Sequence, residues 1–214
     1  MKAHTKETQA SMTPAKALQF LREGNQRFQQ NLRAHRNLLE QVNDTRDGQF
    51  PFATILSCID SRTSAELIFD QGLGDVFSIR IAGSIVDEDI LGSMEFTCKV
   101  AGSKIVVVLG HSKCGAIKGA CDGVQLGNLS TLLNKIQPSV HREKTITENR
   151  TSKNDAFVGK VTEMQVRRSV EQVIEGSVIL REMIEKGEIY LIGGHYSVET
   201  GEVEFFEDTL HGPS

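Results

Sequence analysis

The sequence predicts an α/β fold: a single domain whose mostly parallel central β-sheet is flanked by helices, with an N-terminal helical arm. Two observations carry this expectation. Strand-like apolar runs alternate with helix-like amphipathic ones along most of the chain, the pattern of a parallel sheet with crossover helices. One of the runs, "SKIVVVLG" at residues 103–110, is continuously apolar and β-branched, the signature of a strand buried on both faces. No linker divides the 214 residues, and the polar "HREKTITENRTSKND" (141–155) is the only stretch resembling a long loop. Residues 1–35 are taken as the arm and 36–214 as the α/β domain, together one structural unit.

In chain order, "TPAKALQFLREGNQRF" reads as a helix with Thr13 as N-cap and Pro14 at the first helical position. Leu18, Leu21 and Phe28 recur near helical spacing behind it. "FATILSC" reads as a strand, "SAELIFDQG" as a short helix with a glycine stop, "VFSIRIAG" as a strand and "DEDILGSMEFTCKVAG" as one helix. After the buried run, "CGAIKGAC" looks like a helix start. "TEMQVRRSVEQVIEGSVILREMIEKG" looks like one or two helices dividing near Gly176. "EIYLIGG" and "EVEFFE", joined by the turn-like "VETG", close the chain as strands.

The composition, 39% hydrophobic and 24% charged, is that of an ordinary globular domain. A formal net charge of −4 gives no electrostatic reason to expect nucleic acid or an anionic membrane. The chain has no run of 18 apolar residues, as a membrane-spanning helix would need. The N-terminus lacks the apolar core of a signal peptide, so a chain beginning at its natural start codon is expected to be cytoplasmic. Four cysteines are too few for a disulfide scaffold and read as ligands, nucleophiles or core residues. Cys98 and Cys121 are expected in the core.

Chemistry gathers in two places. In "ILSCIDSR" (55–62), Cys58, Asp60 and Arg62 occupy alternate positions, and an extended segment would turn them to one surface. An Asp–Arg surface pair beside a small buried Cys is the plainer reading. In "GHSKCGA" (110–116), His111 and Cys114 stand three apart at a strand-to-helix turn, a spacing that lets both aim at one point. Both motifs follow strands, and ligands of open α/β sheets bind outside the carboxyl ends of strands. Two thiolates and one imidazole suit Zn2+, although another divalent ion could substitute. Three ligands leave one tetrahedral position, for Asp60 or for a water. A zinc-bound water loses its proton near neutral pH. An Asp60 held by Arg62 would stay ionised, orient that nucleophile and be kept off the metal.

With these motifs in view, the sequence resembles the β-class carbonic anhydrases of bacterial and plant-like kind. The family's C-x-D-x-R and H-x-x-C stand here as Cys58-Ile59-Asp60-Ser61-Arg62 and His111-Ser112-Lys113-Cys114. "AELIFDQGLGDVFSIRIAG", "VVVLGHSKCGAIKGA", "LIGGHYSVETGEVEFF" and the early "ALQFLREGNQRF" extend the likeness over residues 13–206. The resemblance implies one zinc per chain on Cys58, His111 and Cys114, a catalytic dyad of Asp60 and Arg62, and reversible hydration of carbon dioxide to bicarbonate. It implies a substrate-binding role for Gln49, whose amide would donate to carbon dioxide or bicarbonate. Phe77 would reach the site across a dimer interface, and the Gly115 amide would meet a substrate oxygen. A homodimer or homotetramer is expected, with the amphipathic N-terminal segment embracing the partner.

Some members of the family bind inhibitory bicarbonate in a side pocket built from a Trp, an Arg and a Tyr. Here those positions read Ile55, Arg80 and Phe96, and the chain contains no tryptophan. An Asp60 paired with Arg62 and no cooperative bicarbonate inhibition are therefore expected. His195 in "GGHYS" is expected to be an ordinary satisfied histidine rather than a proton shuttle. His141 could shuttle protons only if its loop folds over the cleft. The alternatives are hydrolysis of carbonyl sulfide or carbon disulfide at the same type of site, and a non-catalytic bicarbonate-binding zinc protein.

Overall fold

In the computed structural model, which describes residues 2–212, the chain opens with the short helix α1 (Lys6–Ala10) and the longer α2 (Pro14–Gln29). The terminal bounds 1 and 214 of the arm and domain lie outside the described residues. Thr13 caps α2 as expected, its hydroxyl accepting from the Lys16 amide at 3.2 Å. Ala17, Leu18 and Leu21 fall on one face and are buried with Phe52 and Phe69. The apolar face of α2 is thus covered by its own chain. The next helix, α3 (Leu38–Asp44), leaves Leu38, Leu39 and Val42 exposed.

The described residues form five strands: β1 (Ala53–Ser57), β2 (Val76–Arg80), β3 (Ile105–His111), β4 (Tyr190–Tyr196) and β5 (Val203–His211). They form one sheet in the order β2-β1-β3-β4-β5, parallel except for the antiparallel β5. Every residue of β3 is buried, as its uninterrupted apolar run predicts. One face of the sheet packs on α2. The other packs on the long helix α9 (Asp155–Gly176) through Leu56, Val106, Val108, Val166 and Val170. The chain passes from β1 outward to β2, then returns to lay β3 on the opposite side of β1. This reversal opens a crevice beyond the carboxyl ends of β1 and β3.

The remaining helices are α4 (Ala65–Ile68), α5 (Glu88–Glu95), α6 (Gly115–Cys121), α7 (Gly127–Asn134), α8 (Gln137–Arg142), α9 (Asp155–Gly176) and α10 (Val178–Glu185). The single helix expected over "DEDILGSMEFTCKVAG" instead widens after Glu95 into a π-turn, Phe96–Val100. The predicted break near Gly176 is real, because the Ser177 hydroxyl caps α10 by accepting from the Leu180 amide at 3.1 Å. The expected long loop is shorter than its polarity suggested, since α8 runs into it and Asn154 starts α9 at Asp155. Buried Glu143 anchors it by accepting from Thr145 and Ile146, while Arg150 donates to the carbonyls of Val140 and Ile146. Among the described residues, no helix is long and apolar enough to cross a membrane.

Candidate metal centre

Strands β1 and β3 run parallel in direct contact, Leu56 opposite Val108, so the chain leaves both at the same edge. Cys58 lies one residue beyond β1, and His111 ends β3. Cys114 stands immediately before α6. Between these last two, Lys113 adopts φ +57°, a left-handed conformation that turns the chain so Cys114 returns beside His111.

The ligand atoms of Cys58, His111 and Cys114 lie within 4.8 Å of one another, and all three residues are buried. The two sulfurs are 3.9 Å apart. Two thiolates each about 2.3 Å from one tetrahedral ion would stand about 3.8 Å apart. His111 Nδ1 lies 2.9 Å from the Ser112 carbonyl, which accepts its proton and leaves Nε2 as the free lone pair. Nε2 is buried with no protein partner. An orphaned acceptor of this kind costs about 1–3 kcal/mol, and a cation between the sulfurs and the imidazole would satisfy it. The residues therefore fit a metal ion.

Electrostatics agree with the geometry. The hydrogen bond with Cys114 is the main cause that draws the Cys58 thiol down to about 4, and the Gly83 amide, donating at 3.4 Å, adds to it. Its neighbour Cys58, together with burial, pushes the Cys114 thiol up. A bare pair keeps one proton between two sulfurs. A divalent cation is what would let both be thiolates.

Asp60 does not join this group. Arg62 grips it through Nε at 2.9 Å and Nη2 at 2.8 Å, one nitrogen to each oxygen, and the Arg62 amide adds a third bond at 3.0 Å. These hydrogen bonds hold the Asp60 carboxyl well below the usual carboxylate range. The expected common face is corrected here. The strand ends at Ser57, and residues 60–63 turn, the Thr63 amide donating to the Asp60 carbonyl. Cys58 points inward, and Arg62 stays exposed while folding back on Asp60.

The other expected residues scatter. Gly115 opens α6 beside Cys114, with open space where a side chain would stand. Gln49 is exposed ahead of the amino end of β1, whereas Cys58 follows its carboxyl end. Phe77 lies on the edge strand β2, in an open groove of about 510 Å³ shared with Phe96 and lined by none of the three ligands. Arg80 donates to the Cys58 and Asp60 carbonyls at 3.1 and 2.6 Å, Ile55 is buried in the sheet, and Phe96 is 52% exposed.

The half-buried ring of His195 has no hydrogen bond to protein among the described residues and lines a cleft of about 400 Å³ with Glu163 and Glu204. Burial lowers its pKa. His141 is exposed in the last turn of α8. Sequence reasoning missed Tyr196, a buried phenol whose pKa is raised first by burial and which feels the charges of Arg62 and Asp60. Its register opposite His111 is the signal that locates it.

Comparison with known proteins identifies the family. Residues 53–203 match the family model described as carbonic anhydrase. Carbonic anhydrase 2 of Mycobacterium tuberculosis is 33% identical over 194 residues, covering 88% of this chain and 90% of that one. One of two tetrameric β-carbonic anhydrases from Sordaria macrospora aligns with a TM-score of 0.68 at 25% identity, over 76% of this chain and 83% of that one. A Coccomyxa β-carbonic anhydrase in complex with acetazolamide shares the fold at a TM-score of 0.70 and 24% identity, over 77% of this chain and 75% of that one. With the sheet, the two ligand motifs and these relatives in agreement, the chain belongs to the β-carbonic anhydrases, a family of carbonate dehydratases.

Proposed function

We propose that this protein catalyses the reversible hydration of carbon dioxide to bicarbonate and a proton, using Zn2+ held by Cys58, His111 and Cys114. The observation that carries this reading is the buried convergence of two sulfurs and an unpartnered imidazole nitrogen. Two thiolates and an imidazole favour zinc among common divalent ions, and three protein ligands leave one position open, as in catalytic sites. Bound there, the ion supplies Lewis acidity, making a water acidic enough to act as a nucleophile near neutral pH.

The chain's own groups do the rest. Asp60, kept ionised by Arg62, accepts a hydrogen bond from the attacking water and aims its lone pair at the carbon of carbon dioxide. By engaging both carboxylate oxygens, Arg62 keeps Asp60 out of the ligand set. The Gly115 amide, in the first turn of α6, donates to a substrate oxygen. Water and carbon dioxide yield bicarbonate, and the proton passes to solvent buffer.

Gln49 and Phe77 serve as substrate-binding residues only across a subunit boundary. The five residues of β1, about 17 Å at 3.3 Å each, separate Gln49 from the Cys58 of its own chain. The working unit is therefore at least a homodimer; the Sordaria relatives are described as tetrameric. Stopped-flow hydration of carbon dioxide, comparing wild type with Asp60→Asn at equal zinc content, tests the reading. Wild type should accelerate the reaction, and the variant should lose about 100-fold or more. No acceleration by wild type removes the reaction; equal rates remove Asp60.

A further inference from the structure

We infer that Ser112 is a positioning residue of the metal centre, clamping the ligand turn to the fixed turn between β4 and β5. This rests on the zinc reading above and goes beyond it. Ser112 lies between the two ligands of the turn, and three of its polar groups are engaged. Its carbonyl accepts from His111 Nδ1 at 2.9 Å. Its amide donates to the Tyr196 carbonyl at 3.0 Å, and its hydroxyl accepts from the Val198 amide at 2.9 Å. The last two bonds hold Ser112 in place from its amide and its side chain. The Ser112 carbonyl, placed in this way, sets the direction in which His111 Nε2 points.

The clamp is only as rigid as the turn it grips, and that turn is tied down from within. The Ser197 amide donates to the Glu202 carbonyl, and the Gly201 amide to the Ser197 carbonyl, both at 2.8 Å. Asn25 of α2, only 3% exposed, donates to the Gly201 carbonyl at 2.9 Å and to the Ile68 carbonyl at 3.1 Å, and accepts from the Val203 amide at 2.9 Å. Its neighbour Gly24 lets α2 come this close, because a Cβ there would stand 1.8 Å from the Phe69 carbonyl oxygen. Phe28 packs against Gly201, whose φ of +78° admits little but glycine. The "GNQRF" stretch of α2 thus acts on the metal centre without touching it. A second link, Lys113 to Glu199 at 2.7 Å, is an exposed ion pair and contributes little. The hydroxyl of Ser112 is therefore the group to remove.

Partners that orient a metal-binding histidine change metal affinity by about 10–100-fold when lost. Cobalt(II) serves as the probe because its visible absorption reports the geometry of thiolate and imidazole ligation. Wild type, Ser112→Ala and Ser112→Thr are loaded with cobalt(II), and its transfer to excess chelator is followed at pH 8, with thermal unfolding of the metal-free proteins alongside. Ser112→Ala should release cobalt about tenfold faster with a shifted visible spectrum, and Ser112→Thr, which keeps the hydroxyl, should stay close to wild type. A lower unfolding midpoint with release rate and spectrum unchanged would assign Ser112 a merely structural role and overturn the inference. Wild-type release and spectrum with an unchanged midpoint would overturn it equally, and both results leave the metal centre standing. A wild-type protein that takes up no metal overturns the zinc reading and this inference together.

Discussion

At the scale of single residues, the centre is defined by what His111 lacks. Its Nδ1 proton is used by the Ser112 carbonyl, and its Nε2 is left buried and unpaired beside two sulfurs. The closeness of His111 and Cys114 was legible in the sequence because three-residue spacing at a strand end is a local property, and so is the Asp60–Arg62 pair. Tyr196 and the bonds of Ser112 were not, because they depend on the register of β3 against β4, which local sequence does not encode. Cys114→Ser exchanges a thiolate for a hydroxyl that stays protonated at neutral pH and binds zinc poorly. Metal analysis of that variant should find less than about a tenth of the wild-type zinc, with hydration lost in parallel. Full retention of metal would remove Cys114 from the ligand set.

At the scale of elements, the long apolar runs announced themselves and the short helices did not. Strand β3 and the cap of α2 follow from composition and from Thr13-Pro14. By contrast α3, α7 and α8 have only six to eight residues each, too few turns for a helical period to stand out. The exit from α4 shows how a single side chain can fix an element. Asp70, at φ +45°, is buried between Arg27 and Arg36, with bonds of 2.6 and 2.5 Å. Burial raises its pKa, but the hydrogen bonds from the two arginines outweigh it and hold the carboxyl below its ordinary value. Asp70→Asn should destabilise the fold by about 3 kcal/mol at pH 7, because it removes the counter-charge of two guanidinium groups in a mostly buried site. The folded-state pKa is depressed, so the contribution is present above the unfolded value of about 3.9 and fades as pH falls through the folded one. Urea unfolding of both proteins at several pH values should show the gap narrowing below about pH 4. A gap unchanged down to pH 2.5 would contradict the assignment.

At the scale of the whole molecule, one chain brings Cys58, His111 and Cys114 together beside the Asp60–Arg62 pair but carries Gln49 at the far end of β1 and Phe77 on the edge strand β2. The resemblance already placed Phe77 across a dimer interface, whereas the distance of Gln49 from the Cys58 of its own chain follows from the length of β1. Deleting the arm is a poor test of assembly, since Ala17, Leu18 and Leu21 belong to the chain's own core. The exposed Leu38 and Leu39 of α3, 55% and 71% accessible, offer a cleaner one. Sedimentation of the Leu38→Glu/Leu39→Glu double variant should show a shift towards monomer with an intact fold, and hydration should fall with it. A fully active monomer would contradict the shared site.

The most direct measurement of the central claim is a zinc titration of metal-stripped protein at pH 8, with carbon dioxide hydration and bound zinc read on the same samples. Activity should rise in proportion to zinc and break at one ion per chain. Activity indifferent to zinc, or full occupancy without hydration, would contradict it.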